Sequence, residues 1–406
     1  MRILLLSAYD APSHKRWREG LVTHCSDYHW DVLALPARYF SWRIRGNPLS
    51  WWNEQRAVLS QDFDVIIATS MVDLATLIAL FPNLSHVPRL LYFHENQFAY
   101  PVSSAQHKSV EPAMVSIYAA LASTRLCFNS EYNRQTFLQG VTGLLSNMPD
   151  HAPTHLADTL KCKSEVLAVP LEDVCFHLRE KNHERAYGHI VWNHRWEYDK
   201  SPERLLALIK KLPEDLPLTF HIVGQSFRQK PAEFIEIRQL LVERHWLGCW
   251  GYMDDVSAYR ALLQRAHMVL STAIHDFQGL SVLEAVAAGA YPVVPDRLAY
   301  QELFPSAYRY ASESSCAANM FDKRSNHKKK QSKAMSHISS TLSFDDEIIS
   351  CVDLICRVMG MDESSSTQNI SQENNTQGAP DVSELSWSNL GSRYIDIISG
   401  LACSTT

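Results

Sequence analysis

The sequence predicts an α/β protein made of two domains, each built around a parallel β-sheet. Short runs rich in Val, Ile and Leu alternate with segments of helical apolar spacing, as in buried parallel strands joined by helices. This pattern stops in the polar stretch Glu172–Gly188 and begins again at His189–Trp192. A chain of 406 residues is also long enough for two domains of ordinary size.

The first domain is predicted over residues 1–175. Amphipathic helices such as Leu74–Leu80 and Ala113–Ala122 separate several of its short apolar runs. The predicted strands are Ile3–Ala8, Trp30–Leu35, Asp64–Ala68, Arg89–Phe93, Leu126–Asn129 and Glu165–Val169.

The second domain is predicted over residues 186–360. Its predicted strands are His189–Trp192, Leu218–Val223, Met268–Ser271 and Tyr291–Val294. The helices expected between them are Pro202–Lys211, Ala232–Arg244 and Ser257–Arg265.

Two later stretches depart from this alternation. Residues 361–384 are rich in Ser, Asn, Gln and Thr, which is typical of a disordered linker. The segment 385–406 follows with helical apolar spacing over Trp387–Leu401, so we expect a helix that packs back on the body of the protein. A basic run, Lys323–Lys333, has the composition of a surface loop.

Composition excludes several classes of protein. Apolar residues make up 46% of the chain and charged residues 20%, as in a soluble globular protein. The net charge of −6 argues against a generally basic nucleic-acid binder but permits a local basic surface. Nine cysteines without a CxxC pair favour free thiols, and no apolar run is long enough for a membrane span. We therefore expect a cytoplasmic protein.

The most informative stretch runs from His275 to Pro295. Asp276 and Glu284 flank a turn containing Gly279 and Leu280, and an Ala-rich helix follows. The N–H groups at a helix N-terminus can bind phosphate, and carboxylates can accept hydrogen bonds from sugar hydroxyls. This arrangement suits a nucleotide ligand.

A pair of cations lies upstream, at Arg195 and Lys200. They follow a predicted strand and precede Ser201-Pro202, which has the pattern of an N-cap followed by proline at the first helical position. Ligands of open α/β sheets bind at the carboxyl ends of the strands, so these cations are candidates to hold a diphosphate and stabilise it as a leaving group. A solvated loop is the alternative.

The first half of the chain offers a second group of candidates. His94 follows an apolar strand and is positioned to reach a sugar hydroxyl or a developing charge, with a structural histidine as the alternative. Ser13, His14 and Lys15 open a helix after the first strand, with Ser13 as its expected N-cap. They are candidates for a substrate or phosphate contact, or for a simple helix cap.

The sequence lacks the motifs that bind several other kinds of ligand. Neither GxGxxG nor GxxxxGK occurs, so the dinucleotide fingerprint and the P-loop are both excluded. His151 and His155 have helical spacing, but Pro153 between them disfavours a helical metal site. We expect no metal cofactor.

Taken together, these residues resemble the retaining nucleotide-sugar glycosyltransferases of the GT-B fold. The resemblance rests on Arg195 with Lys200 and on Asp276 and Glu284 within Asp-Phe-x-Gly-x-x-x-Leu-Glu-Ala-x-Ala-x-Gly. It implies two facing Rossmann-like domains, with the donor bound mainly to the second. It also implies a C-terminal helix that crosses back to the first.

Further segments are similar to one group within these enzymes, the tRNA-queuosine alpha-mannosyltransferases. They are Ser13–Lys15, Leu35–Ala37, Leu91–Gln97 with Tyr100–Val102, Phe128–Ser130, Val191–Lys200 and Asp276–Pro295. The similarity covers about residues 1–310 and the final helix. Two departures are that Asp276 stands where these enzymes usually have Glu, and that Pro12 removes a backbone N–H from a turn in which they tend to carry glycines.

The resemblance implies transfer of mannose from GDP-mannose to the cyclopentenediol of queuosine in aspartate tRNA. Arg195 and Lys200 would hold the diphosphate, Glu284 the ribose and Asp276 the donor sugar. His94 would lie near that sugar, and attack on the same face is preferred because the sequence shows no well-placed nucleophile.

Two other functions share these donor residues: a glycosyltransferase with a polysaccharide or lipid-linked acceptor, and a non-catalytic module that binds a nucleotide sugar or RNA. A basic surface for tRNA would come from Lys15–Arg18, from Arg38–Arg45 or from Lys323–Lys333. Among the nearby aromatic residues, Trp42, Trp51 and Trp52 are suited either to stacking on bases or to core packing.

Overall fold

The computed structural model describes residues 1–100, 109–180, 185–226, 231–313, 342–361 and 378–403. These residues form two compact units. The first lies within residues 1–170 and 387–403, and the second lies within residues 171–313 and 342–386.

A six-stranded parallel sheet forms the centre of the first unit, in the order β2-β1-β3-β4-β5-β6. The strands are β1 Arg2–Asp10, β2 His29–Pro36, β3 Val65–Thr69, β4 Arg89–Phe93, β5 Arg125–Phe128 and β6 Ser164–Val166. β3 is buried at every position, because helices cover both faces of a parallel sheet.

Helices connect these strands and enclose the core. They are α1 Pro12–His24, α2 Phe40–Glu54, α3 Arg56–Leu59, α4 Leu74–Leu80, α5 Glu111–Ala122, α6 Glu131–Ser146 and α7 Leu156–Cys162. Caps place some of the starts: the Asp73 and Ser130 side chains accept hydrogen bonds from the first turns of α4 and α6.

The second unit contains another six-stranded parallel sheet, in the order β12-β11-β10-β7-β8-β9. Its strands are β7 Ala186–Trp192, β8 Thr219–Val223, β9 Leu247–Gly251, β10 Ala266–Leu270, β11 Tyr291–Pro295 and β12 Arg309–Tyr310. Its helices are α8 Val174–Glu180, α9 Pro202–Lys211, α10 Glu233–Glu243, α11 Val256–Arg265, α12 Leu280–Ala287, α13 Tyr300–Leu303 and α14 Phe344–Val358.

The last helix, α15 Trp387–Cys403, belongs to the first unit although the second unit precedes it in the chain. Trp17 of α1 donates from Nε1 to the hydroxyl of Tyr394 at 3.0 Å. Trp387 lies against Gly20, where an added Cβ would be 2.5 Å from the indole. Because a larger residue at position 20 would displace that ring, the close approach of α1 and α15 depends on this glycine.

The prediction of an α/β protein with two parallel sheets is confirmed, and ten of its strands were predicted within a few residues. β9 and β12 were not predicted. β9 contains two glycines and is mostly half-buried, so it lacks the apolar run of a buried strand, and β12 has only two residues. The basic run Lys323–Lys333 and most of 361–384 lie outside the described residues. None of the described helices is long and apolar enough to cross a bilayer.

Candidate active site

Two loops meet at the carboxyl edge of the second sheet. One follows β7 and contains Arg195 and Lys200, and the other follows β10 and contains Asp276. β7 and β10 are neighbours in the sheet, so the loops that leave them are adjacent. The Thr272 side chain donates from Oγ1 to the Lys200 carbonyl at 2.8 Å, and this bond also joins the two loops.

Lys200 lies at the centre of this contact, with its side chain only 9% exposed. Its Nζ donates to the His275 carbonyl at 2.8 Å and is 3.3 Å from both Asp276 Oδ2 and Asp199 Oδ2. Burial disfavours the ammonium, but the two carboxylates outweigh it and raise the pKa of Lys200. The residue therefore carries a positive charge throughout the neutral pH range.

Asp276 uses both carboxylate oxygens within the site. Oδ1 accepts from the backbone N–H of Gly279 at 3.0 Å, and Oδ2 accepts from the Tyr300 hydroxyl at 3.2 Å as well as from Lys200. Burial acts to raise the pKa of Asp276, but the neighbouring basic groups, with Lys200 first among them, together outweigh it, and the net shift is downward. The carboxylate thus orients Lys200 and the turn into α12. The contact of Asp276 with a donor sugar stays a prediction. A carboxylate has enough lone pairs to accept a further hydrogen bond from a sugar hydroxyl.

Arg195 is the exposed member of the pair, with 46% of its side chain accessible. Its guanidinium is 2.9 Å from Glu197 and 3.9 Å from Asp199. Burial raises the pKa of Glu197. Of the two cations, then, Arg195 is the one that reaches solvent, whereas Lys200 is buried.

Glu284 is buried on α12, and its Oε2 accepts from the Tyr259 hydroxyl at 3.2 Å. Asn193, at the end of β7, donates from Nδ2 to the same hydroxyl at 3.0 Å and to the Ser281 carbonyl at 2.7 Å. These bonds place Glu284 and the first turn of α12 beside the loop that carries the cations. Its assignment to a ribose stays a prediction.

Two glycines permit close approaches of backbone at this edge. Gly279 precedes α12 with φ of 74°, and an added Cβ would be 2.8 Å from the Tyr300 ring. At Gly224, after β8, an added Cβ would be 1.9 Å from the His194 carbonyl oxygen. A side chain at position 279 would displace the Tyr300 ring, and one at position 224 would displace the loop that follows β7.

Behind the site, one buried carboxylate joins elements distant in sequence. Glu347 of α14 accepts from Arg297 at 2.7 and 3.0 Å and from Arg204 Nε at 3.0 Å. Arg297 Nε also donates to the Ala273 carbonyl at 3.0 Å, in the loop before Asp276. Arg204 donates to Ser201 Oγ at 3.0 Å, next to Lys200. Glu347 therefore supports both loops.

Ser201 and Pro202 start α9 where the sequence predicted, but the predicted cap is wrong. Ser201 has a left-handed backbone with φ of 54°, and its side chain makes no capping bond to the helix. The hydroxyl bonds Glu203 and Arg204 instead. Arg204, which also binds Glu347, thus donates to the Ser201 hydroxyl oxygen that a cap would have used as its acceptor.

His194 and His275 are buried beside the cations. Burial, and then the charge of Lys200, lower the pKa of each imidazole to about 4. Both rings are therefore neutral at physiological pH, so the positive charge of the site resides on Arg195 and Lys200.

The candidates from the first half of the chain lie in the first unit. His94 follows β4 and is buried, and its ring centroid is 4.2 Å from that of His14. Burial, and then His14, lower the pKa of His94 well below its ordinary value. A neutral imidazole can exchange hydrogen bonds with a hydroxyl but cannot supply a positive charge, and His94 Nε2 has no hydrogen-bond partner among the described residues.

Ser13 is not the N-cap of α1, so that prediction is wrong. The cap position is Ala11, Pro12 is the first helical residue, and Ser13 lies exposed in the first turn. Proline starts the helix without a capping side chain, because its φ is already helical and its missing N–H would have had no intrahelical partner. Lys15 is exposed and pairs with Glu19.

Asparagine side chains fix the backbone around His94. Asn129 Nδ2 donates to the His94 carbonyl at 2.9 Å, and Asn133 Nδ2 donates to Asn129 Oδ1 at 2.8 Å. Asn96 Nδ2 donates to Asn133 Oδ1 at 2.9 Å. Within the part of the chain that the structure describes, no group of three or more His, Cys, Asp or Glu side chains could hold a metal ion.

Sequence reasoning missed several of these positions. Asn193 lay inside a segment that was recognised, whereas Tyr259, Tyr300 and Glu347 lie on other elements and carry no local pattern. Glu347 is 50 residues from Arg297 and 143 from Arg204. Only the fold reveals them, as when it brings Glu347 of α14 against Arg204 of α9.

Comparison with known proteins relates this chain to one family and one fold. The N-terminal family of tRNA-queuosine alpha-mannosyltransferases matches residues 2–171. The tRNA-queuosine alpha-mannosyltransferase of Drosophila melanogaster is 30% identical over 331 residues, which cover 79% of this chain and 86% of the fly protein.

Among solved structures, sucrose-phosphate synthase from Thermosynechococcus elongatus superposes with a TM-score of 0.59 at 13% identity, covering 99% of both chains. Anabaena HepE in complex with UDP superposes with a TM-score of 0.56 at 12% identity, covering 98% of this chain and 99% of its own. At such identities the similarity establishes the fold, which is GT-B as the sequence predicted. The chain belongs to the tRNA-queuosine alpha-mannosyltransferase family and is a glycosyltransferase.

Proposed function

We propose that this protein transfers mannose from GDP-mannose to the cyclopentenediol of queuosine in aspartate tRNA. The observation that carries the proposal is its similarity to a tRNA-queuosine alpha-mannosyltransferase along 86% of that relative. The Arg195 and Lys200 loop, adjacent to the turn into α12, supports a diphosphate-linked donor.

In the proposed reaction a hydroxyl oxygen of the cyclopentenediol bonds to C1 of mannose. The bond from C1 to the β-phosphate oxygen breaks on the same face, and the hydroxyl proton passes to the departing phosphate. Arg195 and Lys200 stabilise the negative charge that develops on the GDP leaving group. No metal is assigned to this step, because two cations already supply positive charge at that position.

The remaining residues bind and orient. Glu284 accepts hydrogen bonds from the ribose, and the turn at Gly279 and Leu280 presents backbone N–H groups at the start of α12 to the donor. Asp276 keeps Lys200 charged and aligned, and it contacts the mannose with its remaining lone pairs. Ser13, His14 and His94 are assigned to the donor as well, with His94 as a neutral hydrogen-bond partner of the sugar.

The test is transfer of label from GDP-mannose to purified aspartate tRNA that carries or lacks queuosine. Label is expected only in the tRNA with queuosine, and nucleoside mass spectrometry should show the mass of one added hexose. Equal labelling of both tRNAs would contradict the acceptor assignment. UDP- and GDP-linked sugars are compared in the same assay, because Asp276 is one methylene shorter than the usual Glu and a different preferred sugar would contradict the donor assignment.

A further control separates this function from its alternative. A lipid-linked or polysaccharide acceptor that takes label while both tRNAs stay unlabelled would show that the enzyme is a glycosyltransferase with another acceptor. The cytoplasmic location expected from the sequence stays a prediction.

A further inference from the structure

The outer face of α2 carries an exposed stripe of aromatic and cationic side chains. It consists of Trp42, Arg45, Leu49, Trp52 and Arg56, the last at the start of α3, and we call it the α2 stripe. The first four follow one another at spacings of three and four residues along α2, which puts them on one side of that helix, and Arg56 continues the stripe after the break at Gln55. Trp42 is 51% exposed, Leu49 55% and Trp52 43%.

This exposure gives α2 a second set of apolar side chains, which faces outward. The inner face of α2 is already packed by Ile44, Pro48 and Trp51, which are buried. Trp51 is thus a core residue, whereas its neighbour Trp52 faces outward. Isolated exposed apolar side chains are common, but two tryptophans and a leucine exposed on one side of a helix mark a binding surface.

Local contacts hold the aromatic rings of the α2 stripe in place. The indole of Trp42 lies over Gly46, where an added Cβ would be 2.5 Å from the ring. The guanidinium of Arg56 lies 5.3 Å from the centre of the Trp52 ring. Rings that are ordered before binding lose little conformational entropy when a ligand stacks on them.

The charge of this region is opposite to that of the chain. Residues 37–59 contain four arginines, of which Arg43 is buried, and one acidic residue, a difference of +3, although the whole chain has a net charge of −6. Arg45 is partly neutralised by ion pairs with Asp73 and Glu111. Arg38, whose guanidinium lies 5.6 Å from the Tyr39 ring centre, extends the cationic surface beyond the stripe.

Planar rings between arginines are suited to unpaired nucleotides. Bases stack on indoles and on guanidinium planes, and arginines also bind the phosphates between them. Trp42 and Trp52 are ten residues apart, or about 15 Å along a helix. Bases in a continuous stack are about 3.4 Å apart, so the two indoles would receive bases that are not neighbours in a stack.

A lipid surface fits the stripe less well. A helix that binds a membrane presents a continuous apolar face, with cations on its opposite, polar side. In the α2 stripe Arg45 separates Trp42 from Leu49, and Leu49 is the only aliphatic member.

We propose that the α2 stripe binds an unpaired segment of the acceptor tRNA, a role that rests on the proposed function. The rings provide affinity by stacking, and Arg38 and Arg56 contact phosphates. This surface lies in the first unit, and none of its residues is among those assigned to the donor.

Binding of the full chain to an aspartate tRNA transcript, without donor, tests the proposal. The variants W42A and W52A are each expected to weaken the Kd about fivefold to a hundredfold, the range for loss of one stacked base. W42F and W52F retain a ring and should keep most of the affinity. The control Y118A removes an aromatic residue that is equally exposed on α5 and should leave the Kd unchanged.

Salt dependence separates stacking from phosphate contact. R56A should lower the slope of log Kd against log salt concentration by about 1, whereas W42A should leave that slope unchanged. Single-stranded oligouridylate should compete with the transcript, and duplex RNA should not.

Unchanged tRNA affinity in W42A and W52A would overturn the proposal. The proposal would also be overturned if these variants lost binding to vesicles of phosphatidylcholine and phosphatidylserine while their tRNA affinity stayed intact, since that result would identify a membrane-binding surface. If the wild type binds the transcript through the α2 stripe but transfers no mannose to queuosine, the proposed function fails while this inference stands.

Discussion

Replacing Lys200 by methionine removes the central charge of the candidate site while keeping an unbranched side chain that is one heavy atom shorter. The Nζ atom is 3.3 Å from Asp199 and from Asp276. At an effective dielectric constant of about 20, each of these attractions amounts to about 5 kcal/mol, and most of that is offset by the cost of burying the charges. Removing one partner of a buried ion pair therefore costs about 3–5 kcal/mol net.

We expect two separable effects of K200M. Turnover should fall by about 10²–10³, the loss typical of removing one preorganised group from a developing anion. The second unit should melt roughly 6–20 °C lower, because 1 kcal/mol shifts the Tm of a domain of this size by about 2–4 °C. Calorimetry of the full chain and steady-state transfer from GDP-mannose measure the two effects.

The double variant K200M/D276N distinguishes the two effects. Neutralising Asp276 removes one of the carboxylates that the first change left without a cation, so part of the lost stability should return. Turnover should not return, since the cation is still missing. Lys211, exposed at the end of α9, provides the control variant K211M, which should behave as wild type.

Either of two results would refute this reasoning. Turnover close to wild type in K200M, with the fold intact, would remove Lys200 from the stabilisation of the leaving group. An unchanged melting temperature would show that the ion pairs with Asp199 and Asp276 contribute nothing net to the fold.

Three further predictions follow from the same geometry. Chelation by EDTA should leave transfer activity unchanged, because Arg195 and Lys200 supply the positive charge. Loss of transfer activity on chelation, with its recovery on adding Mg²⁺ or Mn²⁺, would contradict this. Thermal stability should fall as the pH drops from about 6.5 towards 4. In this range the unfolded chain takes up protons on His194 and His275, whereas the folded chain, in which each has a pKa of about 4, does not bind them. A melting temperature that stays constant over this range would contradict the burial of both rings as neutral groups. E347Q should destabilise the second unit by about 3 kcal/mol, because Arg297 loses its charged partner. It should also raise the KM for the donor, because both loops of the site lose support. A normal donor KM in a measurably destabilised protein would confine Glu347 to a structural role.

Much of the site could be predicted because its position follows from local chemistry. The apolar runs that became β7 and β10 are typical of parallel strands, and ligand loops follow the carboxyl ends of such strands. Arg195, Lys200 and Asp276 were therefore expected at one edge, and the structure brings Lys200 and Asp276 within 3.3 Å of each other. The roles assigned to them in binding the donor stay predictions.

What depends on distant contacts could not be predicted. The sequence does not reveal that Lys200 is buried between two carboxylates while Arg195 faces solvent, because that difference arises from which strands are neighbours. Glu347 lacks a local pattern, since its partners come from two other elements.

The sequence by itself determined the two α/β halves, the turns that carry the candidate donor residues and the family resemblance, because strand burial and turn chemistry are encoded within short windows. Only the tertiary structure decided which side of α2 faces the core. Trp51 and Trp52 are adjacent in sequence and alike in chemistry, yet one is buried and the other exposed. The rotation of a helix about its axis is set by the sheet it packs against, and that sheet is assembled from strands far apart in the chain.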